Sequence, residues 1–111
     1  MAYEAAVVIV ETRVFTARIA DLLSHEDYRL LQLDLVRAPE AGRVIPGTGG
    51  LRKLRWGASG RGKRGGARVV YFWHPKSQCV LMLFAYSKNE RSDLTPGQRR
   101  ALRKVVETEY P

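Results

Sequence analysis

Ala67-Arg68-Val69-Val70-Tyr71-Phe72-Trp73-His74, then Pro75-Lys76-Ser77, then residues 78–87 decide the fold of this chain. The first segment is rich in β-branched and aromatic residues, which is the composition of a strand. The middle tripeptide reads as a turn, and the last segment, Gln78 to Ser87, is apolar almost throughout. Together they predict a β-hairpin. Upstream, Leu51-Arg52-Lys53-Leu54-Arg55-Trp56 reads as a further strand. It is framed by two glycine-rich runs, residues 47–50 and 57–66, which read as loops because glycine weakens helix and strand interiors. Three strands in series make an antiparallel meander.

Working outward, Ala6-Val7-Val8-Ile9-Val10 is a continuous β-branched run and predicts a buried central strand. Phe15, Ile19, Leu22 and Leu23 share one helical face, with Thr12 placed as its cap. The chain breaks at Ser24. Ser24-His25-Glu26-Asp27 resembles a capping box, and Tyr28, Leu31 and Leu35 continue an apolar stripe until Pro39 stops it. Two helices with almost no linker predict an antiparallel helical hairpin. Near the end, Thr95-Pro96-Gly97-Gln98 is a helix start with the cap, the N1 proline and the N3 glutamine in place. Ala101, Leu102, Val105 and Val106 supply its apolar face. The order is β-α-α-β-β-β-α. This predicts one α+β domain over residues 1–111, its meander packed against the N-terminal helical hairpin and a C-terminal helix.

The chain has 111 residues, of which 45% are hydrophobic, enough for a packed core and too many for wholesale disorder. Nineteen basic residues against eleven acidic give a net charge of +8, which suits an anionic partner. Cys79 is the one cysteine, so an internal disulfide and a cysteine-rich zinc site are excluded. Met1-Ala2-Tyr3-Glu4 lacks the basic start and long apolar run of a signal peptide. No stretch reaches the roughly 18 apolar residues of a membrane helix. These features predict a soluble, cytoplasmic protein with no membrane partner. The charge is uneven. Between Glu40 and Glu90 there are ten Lys and Arg and no acid, and nine of the ten glycines lie between residues 42 and 66. Forty-nine residues without an acid point to a functional basic middle.

The predicted hairpin places Arg68 near residues 84–86. Lys53 and Arg55 return beside it across the glycine-rich loop, with Arg61, Lys63 and Arg64 on the loop above. Alternation puts Tyr86 and Lys88 on one face. Cations track a phosphate backbone and an aromatic ring offers a base a platform, so this face suits single-stranded RNA. Cleavage through the neighbouring 2′-hydroxyl needs a base, an acid and cations for the phosphate. His74 falls at the turn end, away from this face, and no carboxylate falls in the basic region. Lysine can exchange a proton, whereas arginine can only clamp the phosphate. Composition alone leaves binding and chemistry both open. No ligand cluster for a metal is visible, and no cofactor is implied.

Two segments carry a resemblance that bears on that choice. The first is Gly47-Thr48-Gly49-Gly50-Leu51-Arg52-Lys53-Leu54-Arg55 followed by Gly60-Arg61-Gly62-Lys63-Arg64-Gly65-Gly66-Ala67-Arg68-Val69-Val70-Tyr71. The second is Tyr86-Ser87-Lys88-Asn89-Glu90-Arg91-Ser92-Asp93-Leu94-Thr95-Pro96. Both, with Ser24-His25-Glu26-Asp27-Tyr28-Arg29-Leu30-Leu31-Gln32, resemble RelE/HigB-type toxins of the RelE/ParE superfamily. The resemblance implies the toxin of a type II toxin–antitoxin pair. Its activity would be that of a metal-independent, ribosome-dependent mRNA endonuclease that blocks translation. It also implies a small antitoxin, expected to be of the helix-turn-helix type, and the ribosome with its A-site mRNA as partners. Arg68 matches the family's phosphate-contacting arginine, Lys88 a catalytic basic residue, and Tyr86 the position beside it. Lys53, Arg55, Arg61, Lys63 and Arg64 fall to RNA binding. The family's late tyrosine is matched here by Thr95. The alternatives are a non-catalytic basic nucleic-acid-binding module and a ParE-like toxin that does not cleave RNA.

Overall fold

The computed structural model describes residues 6–57 and 66–111. Among them run β1 (Val8–Glu11), α1 (Arg13–Leu22), α2 (His25–Arg37), β2 (Arg43–Val44), β3 (Arg52–Trp56), β4 (Ala67–His74), β5 (Cys79–Ser87) and α3 (Pro96–Glu109). A single 3-10 turn, Pro75–Ser77, closes the β4–β5 hairpin. Each helix starts where its capping residue dictates. The Thr12 hydroxyl accepts the Phe15 N–H at 3.1 Å and donates to the Leu83 carbonyl at 3.0 Å, pinning the start of α1 to β5. Ser24 accepts the Asp27 N–H at 3.1 Å. Thr95 and Gln98 satisfy each other's backbone N–H groups in a reciprocal box.

The sheet order is β1-β5-β4-β3-β2. Strands β2 to β5 form the expected antiparallel meander, and β1 joins β5 in parallel. Two expectations are corrected. The run at residues 6–10 does not form a central strand: β1 is an edge, with Val8 52% and Val10 44% exposed. Its Val7 and Ile9 pack on the core, whereas the opposite face of the strand is half open. A continuous apolar run cannot tell an edge from a centre, because both bury at least one face. The meander also gains a strand, β2, whose two residues are too few to show a period.

Helices cover both faces. Phe15, Ile19, Leu31 and Leu35 of the helical hairpin pack on Val69, Tyr71, Val80, Met82 and Ala85. On the other side Leu94 and Val106 pack with Leu51, Val70, Leu81, Leu83 and Tyr86. Tyr71 ties the connection after α2 to the sheet. Its hydroxyl donates to the Pro39 carbonyl at 2.7 Å and accepts the Gly42 N–H at 2.8 Å. A Cβ at position 42 would stand 2.8 Å from the Tyr71 ring, so the close approach requires glycine. Among the described residues, no helix is long and apolar enough to cross a membrane.

One irregularity matters for the site. Val70 pairs with Phe84 but Tyr71 pairs with Met82, so Leu83 is an extra residue in β5. Before this bulge Val80 and Met82 face the helical hairpin; after it Ala85 does. Unbroken alternation would send Tyr86 the same way as Met82. The bulge shifts the phase by one and turns Tyr86 to the α3 side.

Candidate nucleic-acid interface

The register lays three side chains in a row. Arg55 on β3 stands opposite Arg68 on β4, and Arg68 stands opposite Tyr86 on β5. Directly opposed residues of paired strands project to the same side. Arg55 is exposed, Arg68 is 8% exposed and Tyr86 is fully buried. Lys53 lies two residues from Arg55 on the same strand and hence on the same face. The expected convergence of Lys53, Arg55, Arg68 and Tyr86 is therefore present. Arg68 does not stand free at a strand end, however. It is enclosed by the sheet and its cover, which charge patterning could not reveal.

The segment joining β5 to α3 returns over this row and brings residues the sequence reading passed over. The Arg91 guanidinium lies 6.0 Å from the Tyr86 ring centre and 5.8 Å from that of Phe84. Asp93 enters the supposedly acid-free face. One of its oxygens is 3.6 Å from Lys53 Nζ and takes the Leu94 N–H at 2.8 Å; the other accepts from Arg99 at 3.0 Å. Arg91, Asp93 and Arg99 all lie beyond the basic middle. The signal that could have found them is topological, since a chain leaving the end of β5 beside Tyr86 must cross the row to begin α3.

Lys88 stands apart from the row. β5 ends at Ser87, so strand alternation does not reach Lys88, which is exposed in the following turn. That turn is held from α1: Arg18 bonds the Ala85 carbonyl and Glu90, and lies 4.9 Å over the Phe84 ring. Glu90 in turn accepts the Ser87 N–H at 3.1 Å. Arg61, Lys63 and Arg64 lie outside the described residues. His74 sits at the far end of β4, stacked 4.2 Å from Tyr110 and bonded to Ser77, remote from the row. Cys79 is buried as a free thiol. His25 lines a cleft of about 340 Å³ at the helical hairpin, on the opposite side of the sheet. Among the described residues no three His, Cys, Asp or Glu gather to hold a metal.

Burial pushes the Tyr86 hydroxyl above the usual phenol range and Asp93 adds to the rise, while Arg68, Arg91 and Arg55 pull it back only in part. Tyr86 is thus a neutral donor near pH 7, and its buried oxygen has no hydrogen-bond partner among the described residues. Asp93 goes the other way. Burial would raise its carboxyl, but the Leu94 N–H, Lys53 and Arg99 outweigh that and hold it below the ordinary range. Fixed guanidinium charge beside a neutral, unsatisfied phenol has the chemistry to bond an anion such as a phosphate, although the phenol oxygen is itself buried in this state.

No family model matches the sequence. The fold, however, is one already seen in solved structures: an α+β toxin fold with a meander between a helical hairpin and a last helix. It is the fold of E. coli RelE. A double mutant of that toxin in the free state matches with TM-score 0.57 and 15% identity, over 79% of this chain and 90% of that one. The isolated RelE toxin matches with TM-score 0.59 and 14% identity, over 90% and 99%. The intact E. coli RelBE toxin–antitoxin complex matches with TM-score 0.56 and 18% identity, over 72% and 94%. At these identities the likeness is one of fold.

Proposed function

We propose that this chain is the toxin of a toxin–antitoxin pair and cleaves mRNA on the ribosome. The observation that carries the proposal is the row Arg55–Arg68–Tyr86, set across three strands by register with Arg91 over the tyrosine ring. A merely solvated basic surface has no need of a buried arginine beside a buried, unsatisfied phenol. In this reading Arg68 clamps the scissile phosphate, and Tyr86, whose hydroxyl is buried in the free protein, donates a hydrogen bond to it once RNA has displaced the segment that crosses the row. The neighbouring 2′-oxygen attacks phosphorus, the bond to the 5′-oxygen breaks, and that oxygen takes up a proton. The 2′-proton leaves to a base. Lys88 takes the proton-exchanging role in this reading, and its exposure in the turn after β5 keeps it in contact with water. Lys53, Arg55, Arg61, Lys63 and Arg64 hold flanking phosphates, and no metal is required. The +8 charge and the likeness to a toxin solved with its antitoxin support an acidic antitoxin partner; its helix-turn-helix type and a cytoplasmic setting are further parts of the proposal.

The test adds the purified chain to translating ribosomes and maps mRNA ends by primer extension. The wild type should cut translated mRNA. Lys88→Ala should lose on the order of 100-fold or more in rate, with stability within about 0.5 kcal/mol because the side chain is exposed. Arg68→Lys, which keeps the charge and loses the fork, should also fall. Ribosome binding without cutting would return the row to a non-catalytic nucleic-acid-binding surface. Toxicity with neither would favour a ParE-like action.

A further inference from the structure

We propose that Asp93 is an internal stand-in for the RNA phosphate, which a bound strand displaces to gain Lys53 and Arg99. The inference rests on the reading of the row as an RNA surface. Its own ground is geometric. The two carboxylate oxygens of Asp93 face two cations from different elements, Lys53 on β3 and Arg99 on α3, at 3.6 and 3.0 Å. A phosphate bridges two cations in the same way, with one oxygen to each. Asp93 belongs to neither a strand nor a helix, and its side chain is 44% exposed. It can swing out without unpacking the core, since the neighbouring Leu94 is the anchor, 4% exposed. Lys53 is far less open, at 21%. The cation is thus already committed to a partner when RNA arrives.

This makes Asp93 an affinity-setting counter-ion. Exposed ion pairs are weak, so a polyanion held by several other cations displaces the carboxylate easily, whereas a lone anion gains little from doing so. The residue would tax every RNA contact at Lys53 by the same small factor and discriminate against short or weakly held ligands.

The experiment measures binding of a fluorescein-labelled, single-stranded 2′-O-methyl RNA, which cannot be cut through its 2′-position, by fluorescence anisotropy. Wild type and the Lys53→Ala/Arg99→Ala protein, each with and without Asp93→Asn, are compared at low and high salt. Asparagine keeps an acceptor for the Leu94 N–H and removes the charge. Asp93→Asn should bind about two- to fivefold tighter than wild type at low salt. The gain should fade as salt screens the pairs, and it should largely vanish when Lys53 and Arg99 are both already alanine. Loss of a merely structural residue would weaken binding instead. If Asp93→Asn melts lower than wild type, Asp93→Ser, which also offers the Leu94 N–H an acceptor, must show the same gain. Unchanged or weaker binding by a well-folded variant overturns the proposal, as does a gain that survives when both Lys53 and Arg99 are alanine. Failure of the wild type to bind RNA at any salt would instead remove the RNA reading itself.

Discussion

Replacing Tyr86 by Phe removes one oxygen and nothing else, and it should stabilise the protein while disabling it. The ring is fully buried in the core cluster under α3, next to Leu83 and Val106, and phenylalanine keeps that packing. The hydroxyl has no hydrogen-bond partner among the described residues. A buried polar group left unsatisfied costs about 1–3 kcal/mol. Allowing for the small void left by the oxygen, Tyr86→Phe should gain about 1 kcal/mol. Unfolding entropy of about 2.1 cal/mol/K per residue over this chain makes that a rise of roughly 4 °C in Tm. Urea unfolding read by the fluorescence of Trp56 and Trp73 supplies the first measurement. Primer extension of translated mRNA supplies the second, where loss of a donor to the phosphate should lower cleavage on the order of 100-fold. Destabilisation by about 1 kcal/mol or more would show that the hydroxyl is bonded in the folded protein. Cleavage at the wild-type rate would show that it does not touch the phosphate. Either result refutes the reasoning.

The same chemical change at Tyr71 should have the opposite sign. Tyr71→Phe removes a hydroxyl that donates to Pro39 and accepts from Gly42, and the buried Gly42 N–H is left unpaired. The expected loss is about 1–3 kcal/mol, seen as a Tm lower by roughly 4–13 °C. Alkali should unfold the protein. Burial raises Tyr71 and Tyr86, and burial with the Cys79 contact pushes Tyr110 up to about 12. Each folded value lies above the unfolded value of about 10, so the unfolded chain gives up protons first. Their contribution is complete below about pH 10 and is lost as pH rises through the folded values; melts at about pH 8 and about pH 11 should therefore differ, the latter lower. A flat profile would mean that the phenols are open to solvent.

The parts of the fold governed by local chemistry were legible in the sequence. Thr12, Ser24 and Thr95 announce their helices because a capping hydroxyl acts within three residues. The β4–β5 hairpin is legible because its strands are apolar on both faces and its turn carries Pro75. The neighbourhood of Arg55, Arg68 and Tyr86 follows from hairpin register. What could not be read depends on the third dimension. The Leu83 bulge breaks the alternation that orients Tyr86, and nothing in Phe84-Ala85-Tyr86 marks it, while Lys88 falls past the end of β5. Arg68 reads as a surface cation in any charge count, yet it is buried in the folded chain. Asp93 lies outside the acid-free interval and comes back to Lys53 only because α3 must cross the sheet.

The pairing of β1 with β5 also has a temporal side. The Thr12 hydroxyl reaches Leu83 across a separation of 71 residues, and β1 has no other strand beside it among the described residues. Contacts so distant in sequence close slowly, after the local hairpin has formed. A growing chain makes the waiting longer, because domains emerge from the N-terminus at the pace of synthesis. While β5 is still inside the tunnel, β1 has no strand to pair with and the helical hairpin lacks the β5 part of its packing surface. Arg55 and Arg68 are then two cations on a tether, without the phenol that completes their row. Any activity of that row is withheld by topology until the segment through Arg99 has cleared the ribosome.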